Sequence, residues 1–169
     1  MAASVKIYEL TASKAGTDKT SGTVRFKNAN NQTVDSNDRL SIPSTGTRYS
    51  FTKQLRIYVA TAPSVDIQTL AAYSDGEVNF GGGQVGVQYD TFRGASFVTN
   101  ATPNISGTDL FTRGPATVID MDAGLASTAF LGTGFKGLIL RLQMSVASLA
   151  NPGSLTASAE TLTISYSET

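Results

Sequence analysis

The stretch Gly137-Leu138-Ile139-Leu140-Arg141-Leu142-Gln143-Met144-Ser145 decides the fold of this chain. Every second position carries a large apolar residue, so a β-strand would place on one face Leu138, Leu140, Leu142 and Met144. The opposite face would carry Ile139, Arg141 and Gln143. The stretch therefore predicts a strand that packs on a core through one face.

The same alternation occurs on both sides of that strand. Residues 52–61 would place Leu55, Ile57 and Val59 together on one face, and Pro63 follows the run. Further segments with strand character are residues 5–10, 23–27, 40–42, 65–73, 85–89, 117–121 and 161–166. They recur about every 8–15 residues, with turn signals between them and no crossover helices, as in antiparallel sandwiches. We predict an all-β chain: an antiparallel, jelly-roll-like β-sandwich that forms a single domain over residues 1–169.

Some segments lack this pattern. Residues 11–22, rich in Thr, Ser, Lys and Gly, predict an exposed and mobile loop. Residues 125–131 could form a helical turn. The terminal segments, residues 1–4 and 165–169, are candidates for flexible arms that pair with neighbouring chains, because adding a strand to a sheet edge needs only backbone groups.

The composition limits which partners the chain can have. Charged residues make up 15% of it, and 13 Lys plus Arg balance 13 Asp plus Glu, which gives a formal net charge of zero. A domain that holds nucleic acid through its phosphates usually carries a basic excess, so nucleic acid is not an expected partner. Zero net charge also removes the self-repulsion that opposes association. No apolar run approaches the roughly 20 residues of a membrane helix, and the N-terminus has no secretory signal pattern. We therefore expect protein partners, self-association and no membrane.

Several kinds of catalytic and metal site are excluded by residue types that the chain lacks. It has no Cys and no His, which rules out Ser-His-Asp and Cys-His nucleophiles, thiolate clusters and His-based zinc sites. Most acidic residues follow turn signals, where a carboxylate usually accepts hydrogen bonds from nearby backbone groups. These turn acids are Asp18, Asp35, Asp38, Asp75, Asp90 and Asp109. We predict that the protein is not an enzyme, with no catalytic, cofactor-binding or metal-ligating residues and no cofactor.

Two short motifs resemble ligand loops only superficially. Gly81-Gly82-Gly83-Gln84-Val85-Gly86 lacks the Lys-Ser/Thr end of a phosphate loop, and no helix is expected after it. Asp120-Met121-Asp122-Ala123-Gly124 fails the spacing of an EF-hand calcium loop. We interpret the first motif as a flexible turn and the second as a strand end followed by a turn.

Three stretches resemble the jelly-roll decoration, or cement, proteins that sit outside the capsid shell of tailed bacteriophages. The first is Val24-Arg25-Phe26-Lys27 with the Asn-rich turn and Thr33-Val34-Asp35. The second runs from Ala62-Pro63-Ser64-Val65 to Tyr73-Ser74-Asp75-Gly76. The third combines the strand of Leu138 to Met144, Pro152-Gly153 and the closing Ser158 to Tyr166. None of these is a motif with a fixed chemical role, so no functional residue is carried over.

The resemblance implies a function. Such proteins are commonly trimers that bind the major capsid protein, bridge neighbouring subunits and stabilise the expanded shell, since a protein that binds only the assembled lattice favours it by mass action. It implies a homotrimer on the exterior of a virion capsid, assembled in the host cytoplasm.

Two other hypotheses remain open. One is a neck, tail or baseplate component that forms rings of six or twelve chains. The other is a carbohydrate- or receptor-binding β-sandwich, with Tyr89-Asp90 or Tyr73-Asp75 as a platform. Tyrosines at strand spacing, such as Tyr49 and Tyr58, are nevertheless more typical of core or interface packing.

Overall fold

A computed structural model describes residues 2–10, 16–29, 35–62, 66–76, 83–93, 105, 107–125, 132–151 and 161–168. The strands in these ranges are β1 (Ser4–Leu10), β2 (Gly16–Asp18), β3 (Thr47–Tyr49), β4 (Lys53–Thr61), β5 (Ile67–Tyr73), β6 (Val85–Phe92), β7 (Ile119–Asp120), β8 (Gly134–Ala147) and β9 (Thr163–Glu168). Two single-turn 3-10 helices, Ser36–Asp38 and Leu110–Thr112, accompany them. All strand pairing among the described residues is antiparallel, which confirms the prediction of an all-β, two-sheet fold.

The larger sheet contains six strands and is organised around β8. One edge of β8 pairs with β4 and, further along, with β3, while the other edge pairs with β6 along eight residues. On the far side of β4 come β1 and then β2. In this register Leu55 lies between Glu9 of β1 and Leu140 of β8. The alternating apolar residues of three strands therefore share one inner face.

A bulge in β8 bends this sheet. Leu55 pairs with Leu140, but Ile57 pairs with Lys136, so β8 has more residues than β4 between these two points. Gly137 lies inside the bulge with a φ of 68°. A Cβ on it would come within 2.7 Å of Leu70 Cδ2 and 3.1 Å of the Met121 carbonyl oxygen. Glycine at this position permits both the left-handed backbone and the close approach of the second sheet.

The smaller sheet has the order β7-β5-β9. It joins the larger sheet through Met121, whose N–H donates to the Leu70 carbonyl oxygen at 2.8 Å and whose own carbonyl oxygen accepts from Leu138 N–H at 2.8 Å. Along β5 the register shifts between Gln68 and Ala71, around Thr69 with its φ of 51°. The two sheets are thus connected by main-chain hydrogen bonds as well as by side chains.

The core lies between the two sheets and contains the predicted inner faces, but Ile139 and Gln143 of the predicted opposite face of β8 are buried as well, at 3% and 1% exposed. Leu55, Ile57 and Val59 are at most 2% exposed. The predicted face of β8 is also buried, with Leu138 at 5%, Leu140 at 0% and Leu142 at 2% exposed, while Met144 is half-buried against the core. At the C-terminus, packing against the core is made by Leu162, Ile164 and Tyr166.

Two predicted strands are not found in the part of the chain that the structure describes. Residues 23–27 and 40–42 belong to no strand there. Apolar residues of both segments nevertheless pack on the core: Val24, Phe26, Leu40 and Ile42. Their alternation therefore reflects contact with the core and not hydrogen bonding to a neighbouring strand. Burial alone therefore misled the strand prediction there.

Strand pairing includes parts of the predicted loop and of the terminal segments. Within residues 11–22, Gly16–Asp18 forms β2 on the edge of β1, while residues 11–15 lie outside the described ranges. At the N-terminus, Ala3 N–H donates to Glu168 Oε1 at 2.7 Å, and β9 pairs with β5. The terminal segments 2–4 and 165–168 thus pair within the chain. The helical turn predicted at 125–131 lies almost entirely outside the described ranges.

Candidate functional site

Three aromatic side chains form a cluster on the outer face of the larger sheet. Tyr8, Tyr58 and Phe135 come from the adjacent strands β1, β4 and β8. Their ring centroids lie 5.1 to 5.7 Å apart, with the rings tilted or edge-to-face. These are the separations at which aromatic pairs attract beyond simple burial. We call Tyr8, Tyr58 and Phe135 the outer aromatic cluster.

The cluster is accessible to solvent. Phe135 is 37% exposed, and both tyrosines are half-buried. Gly16 of β2 packs against the Tyr8 ring so closely that a Cβ there would lie 2.6 Å from Tyr8 Cδ1. The neighbouring edge strand therefore fixes the Tyr8 ring, and the cluster presents a preformed surface.

Charged side chains border the outer aromatic cluster. Lys6 Nζ lies 2.9 Å from Asp18 Oδ2, and Thr20 also donates to this carboxylate through its N–H and its hydroxyl. These hydrogen bonds hold the pKa of Asp18 well below its usual range. The Arg56 guanidinium lies 5.7 Å from the Phe135 ring centroid, and its Nε is buried with no hydrogen-bond partner among the described residues. Burial lowers the pKa of Arg56.

The opposite, inner face of the larger sheet lines a cleft of about 650 Å³. Its floor consists of buried side chains from β4, β6, β8 and the second 3-10 helix: Leu55, Val87, Leu110, Phe111, Leu142 and Val146. Its rim consists of exposed residues in the segments that cross this face: Thr20, Gly22, Thr23, Arg39 and Thr161. The cleft therefore opens to solvent over an apolar floor.

A buried group of charges lies beside this cleft. Lys53 Nζ is 2.8 Å from Glu9 Oε1, and Lys19 Nζ is 3.5 Å from Glu9 Oε2. Glu9 is 3% and Lys53 is 4% exposed. The sequence analysis did not predict this group, although a signal was present. In β1 the alternation that places Val5 and Ile7 on the inner face also places Glu9 there. In β4 the alternation of Leu55 and Ile57 does the same for Lys53.

Several turn acids have the local role expected for them. Asp35 Oδ1 accepts from Asn37 N–H at 2.8 Å, and Asp109 Oδ1 accepts from Phe111 N–H at 3.1 Å and from Val87 N–H at 3.0 Å. Two others have ionic partners instead. Asp38 pairs with Lys27, and Asp90 forms a two-pronged ion pair with Arg141.

The structure describes all of the second ligand-like motif and the last four residues of the first. Asp120 ends β7, and its carboxylate accepts from Asp122 N–H in the following turn. Asp122 Oδ2 accepts from Leu70 N–H at 3.1 Å. Burial, with Asp120 close by, raises the pKa of Asp122. After Gly83 the chain enters β6 with no intervening helix, whereas Gly81 and Gly82 lie outside the described ranges.

Tyr89 and Asp90 do not form a joint platform. Tyr89 packs against the core, whereas Asp90 points to the outer face and binds Arg141. Tyr73 ends β5, and Asp75 lies two residues beyond it. The structure instead brings together Tyr8, Tyr58 and Phe135, which the sequence did not connect because they lie far apart along the chain.

Comparison with protein-family models, with characterised proteins and with solved structures found no match for this chain. Within the described ranges, no group of three or more acidic side chains is arranged to hold a metal ion. The same ranges contain no helix of the length and apolarity needed to cross a membrane.

Proposed function

We propose that this chain is a structural virion protein that binds the outside of an assembled capsid shell as a decoration, or cement, protein. The observation that carries the proposal is the outer aromatic cluster, which is partly exposed on the outer face of the larger sheet. Aromatic side chains with neighbouring arginine are the groups that dominate binding energy at protein interfaces. The zero net charge and the resemblance of three stretches to decoration proteins give the further support.

Binding would use the two kinds of group on this face differently. Tyr8, Tyr58 and Phe135 would supply the apolar contact, with little loss of side-chain freedom because they already pack on each other. Lys6, Asp18 and Arg56 at the border would set orientation through charge complementarity. A homotrimer would present three such surfaces at once. Three linked binding sites attach to a repeating capsid surface more tightly than one site does.

Reconstitution tests the proposal. Capsids of the encoding virus prepared without this protein should rupture at lower temperature than decorated ones, and adding the purified protein should restore resistance. Phe135→Ala should weaken capsid binding about tenfold or more, as at an interface hot spot. Leu149→Ala is the matched control, because Leu149 is 77% exposed and lies outside the cluster. Equal capsid survival with and without the protein would remove the stabilising role.

The native mass distinguishes the possible assemblies. A mass near three chains of 17.7 kDa supports the decoration trimer. Rings of six or twelve chains would instead favour a neck, tail or baseplate component.

Saccharide binding is the second candidate, and the same cluster favours it. An aromatic surface beside Asp18 and Lys6 offers a ring to stack on a sugar and polar groups to hydrogen-bond its hydroxyls. Because the chain has no Trp, its emission comes from six tyrosines, and two of them, Tyr8 and Tyr58, lie in the cluster. A saturable change in that emission with a glycan, lost in Tyr58→Ala, would support this candidate. No saturable response across a glycan array would eliminate it.

A further inference from the structure

We propose that the inner cleft binds a small amphipathic molecule with an apolar chain and an anionic head group. This inference is independent of the proposed capsid role, because the cleft lies on the inner face of the sheet and the outer aromatic cluster on the other. It rests on the dimensions of the cleft, on its apolar floor and on the cations at its rim.

The volume of the cleft and the apolar side chains at its floor suit a ligand with an apolar chain. A volume of about 650 Å³ falls within the range of small-molecule sites. The side chains at its floor, such as Leu55, Leu142 and Phe111, offer nothing to which water could hydrogen-bond. Water held there makes few hydrogen bonds, so an apolar chain that displaces it gains affinity.

The rim selects the charge of the head group. Arg39 lines the cleft and is exposed, and within the described ranges its guanidinium takes part in no ion pair. Lys19 also lines the cleft, with its Nζ 3.5 Å from Glu9 and 3.2 Å from the Thr23 carbonyl oxygen. A guanidinium binds carboxylate or phosphate oxygens through two parallel hydrogen bonds, so Arg39 is the principal anchor.

Hydroxyl groups complete the recognition of the head. Thr23 and Thr161 lie at the opening, where their hydroxyls can donate to further oxygens of an anion. A cationic head would meet Arg39 and Lys19 and be repelled. The cleft should therefore discriminate between two molecules that have the same chain and heads of opposite charge.

Calorimetric titration of the whole chain tests this inference. The probes are dodecanoate and dodecyltrimethylammonium, each kept below its micelle-forming concentration. Dodecanoate should bind saturably at one molecule per chain and at least about tenfold more tightly than the ammonium compound. Absence of saturable binding, or equal binding of the two probes, would overturn the inference without any variant.

Two variants locate the site. Arg39→Gln should weaken dodecanoate binding about tenfold, the value of a charge-assisted hydrogen bond, while Arg93→Gln, which removes the same charge outside the cleft lining, should leave it unchanged. Leu40→Trp should fill the cleft and abolish binding, with circular dichroism confirming that the variant is folded. Dodecanoate binding that survives in folded Leu40→Trp would place the molecule elsewhere and contradict the assignment. Retained capsid binding in Arg39→Gln would show that the two functions are separate.

Discussion

Glu9 and Lys53 form an ion pair of 2.8 Å inside the apolar face of the larger sheet, on the neighbouring strands β1 and β4. Both side chains occupy inward positions in the alternation that otherwise carries Ile7, Leu55 and Ile57. Each charge is tolerated because the other is present, since an isolated buried charge is costly to remove from water. The pair links the two strands at the end of the core that lies next to the cleft.

Removing one member of this pair should destabilise the protein strongly. We expect Lys53→Met to lower the free energy of unfolding by about 3 kcal/mol. This value is the lower end of the range for a broken buried ion pair, because Lys19 still lies near Glu9 and partly compensates its charge. Urea denaturation gives the value. Lys6→Met is the matched control, since Lys6 pairs with Asp18 at the surface and its loss should lower the free energy of unfolding far less.

The double variant separates pairing from burial. Glu9→Leu with Lys53→Met replaces both charges by apolar groups, and we expect it to be more stable than Lys53→Met alone. Strictly additive losses would mean that the two side chains do not depend on each other.

Gly137 offers a second test, of the bulge in β8. Gly137→Ala should destabilise the protein by about 2–3 kcal/mol, because it combines a strained φ with a clash against Leu70 and Met121. Gly46→Ala is a close control: its φ of 69° is nearly the same, but a Cβ there meets nothing within 4 Å. Thermal unfolding of the two variants therefore isolates the cost of contact, and equal losses would show that backbone strain accounts for the whole effect.

Ser50 joins β3 to β4 along the edge of β8. Its Oγ accepts from Met144 N–H at 3.1 Å, its carbonyl oxygen accepts from Gln143 Nε2 at 2.9 Å, and it is 0% exposed. Ser50→Ala leaves the Met144 N–H without this acceptor, so we expect a loss of about 1–3 kcal/mol in chemical denaturation. Ser145→Ala, which removes a half-buried hydroxyl that only donates to the Gly86 carbonyl oxygen, should cost less. A neutral Ser50→Ala would indicate that the strand junction relaxes to supply another acceptor.

Asp122 predicts the sign of a pH effect. Burial raises its pKa above the ordinary value of 3.8, so the folded state binds a proton more readily than the unfolded state. Its contribution to stability is therefore complete below pH 3.8 and is lost as the pH rises through the folded pKa. We expect Asp122→Asn to gain stability relative to the native chain between pH 3.5 and pH 7, while its amide oxygen still accepts from Leu70 N–H. Urea denaturation measures the difference in unfolding free energy between Asp122→Asn and the native chain. If that difference is the same at both ends of this pH interval, the pKa of Asp122 is not raised.

Alternation along single strands predicted much of the fold. It identified β4, β8 and the face of each that packs on the apolar core, because contact with a core on one face imposes a period of two. It could not identify strand order, and for that reason it missed the outer aromatic cluster: Tyr8, Tyr58 and Phe135 meet only because β1, β4 and β8 are neighbours. The same limit applies to residues 23–27, whose alternation is real although no strand pairs with them. The cleft depends on how loop segments cross the sheet, which no local pattern specifies.

The central position of β8 has a consequence for how the chain is made. β8 spans Gly134–Ala147 and separates β4 from β6, so the larger sheet cannot close until this late segment has left the ribosome. Until then the nascent β1 and β4 can pair with each other but must leave their inner apolar face uncovered. Such a face on a growing polypeptide is a binding site for chaperones and a point of aggregation. Slow translation or truncation upstream of residue 134 should therefore yield insoluble product, whereas the completed chain folds around its longest strand.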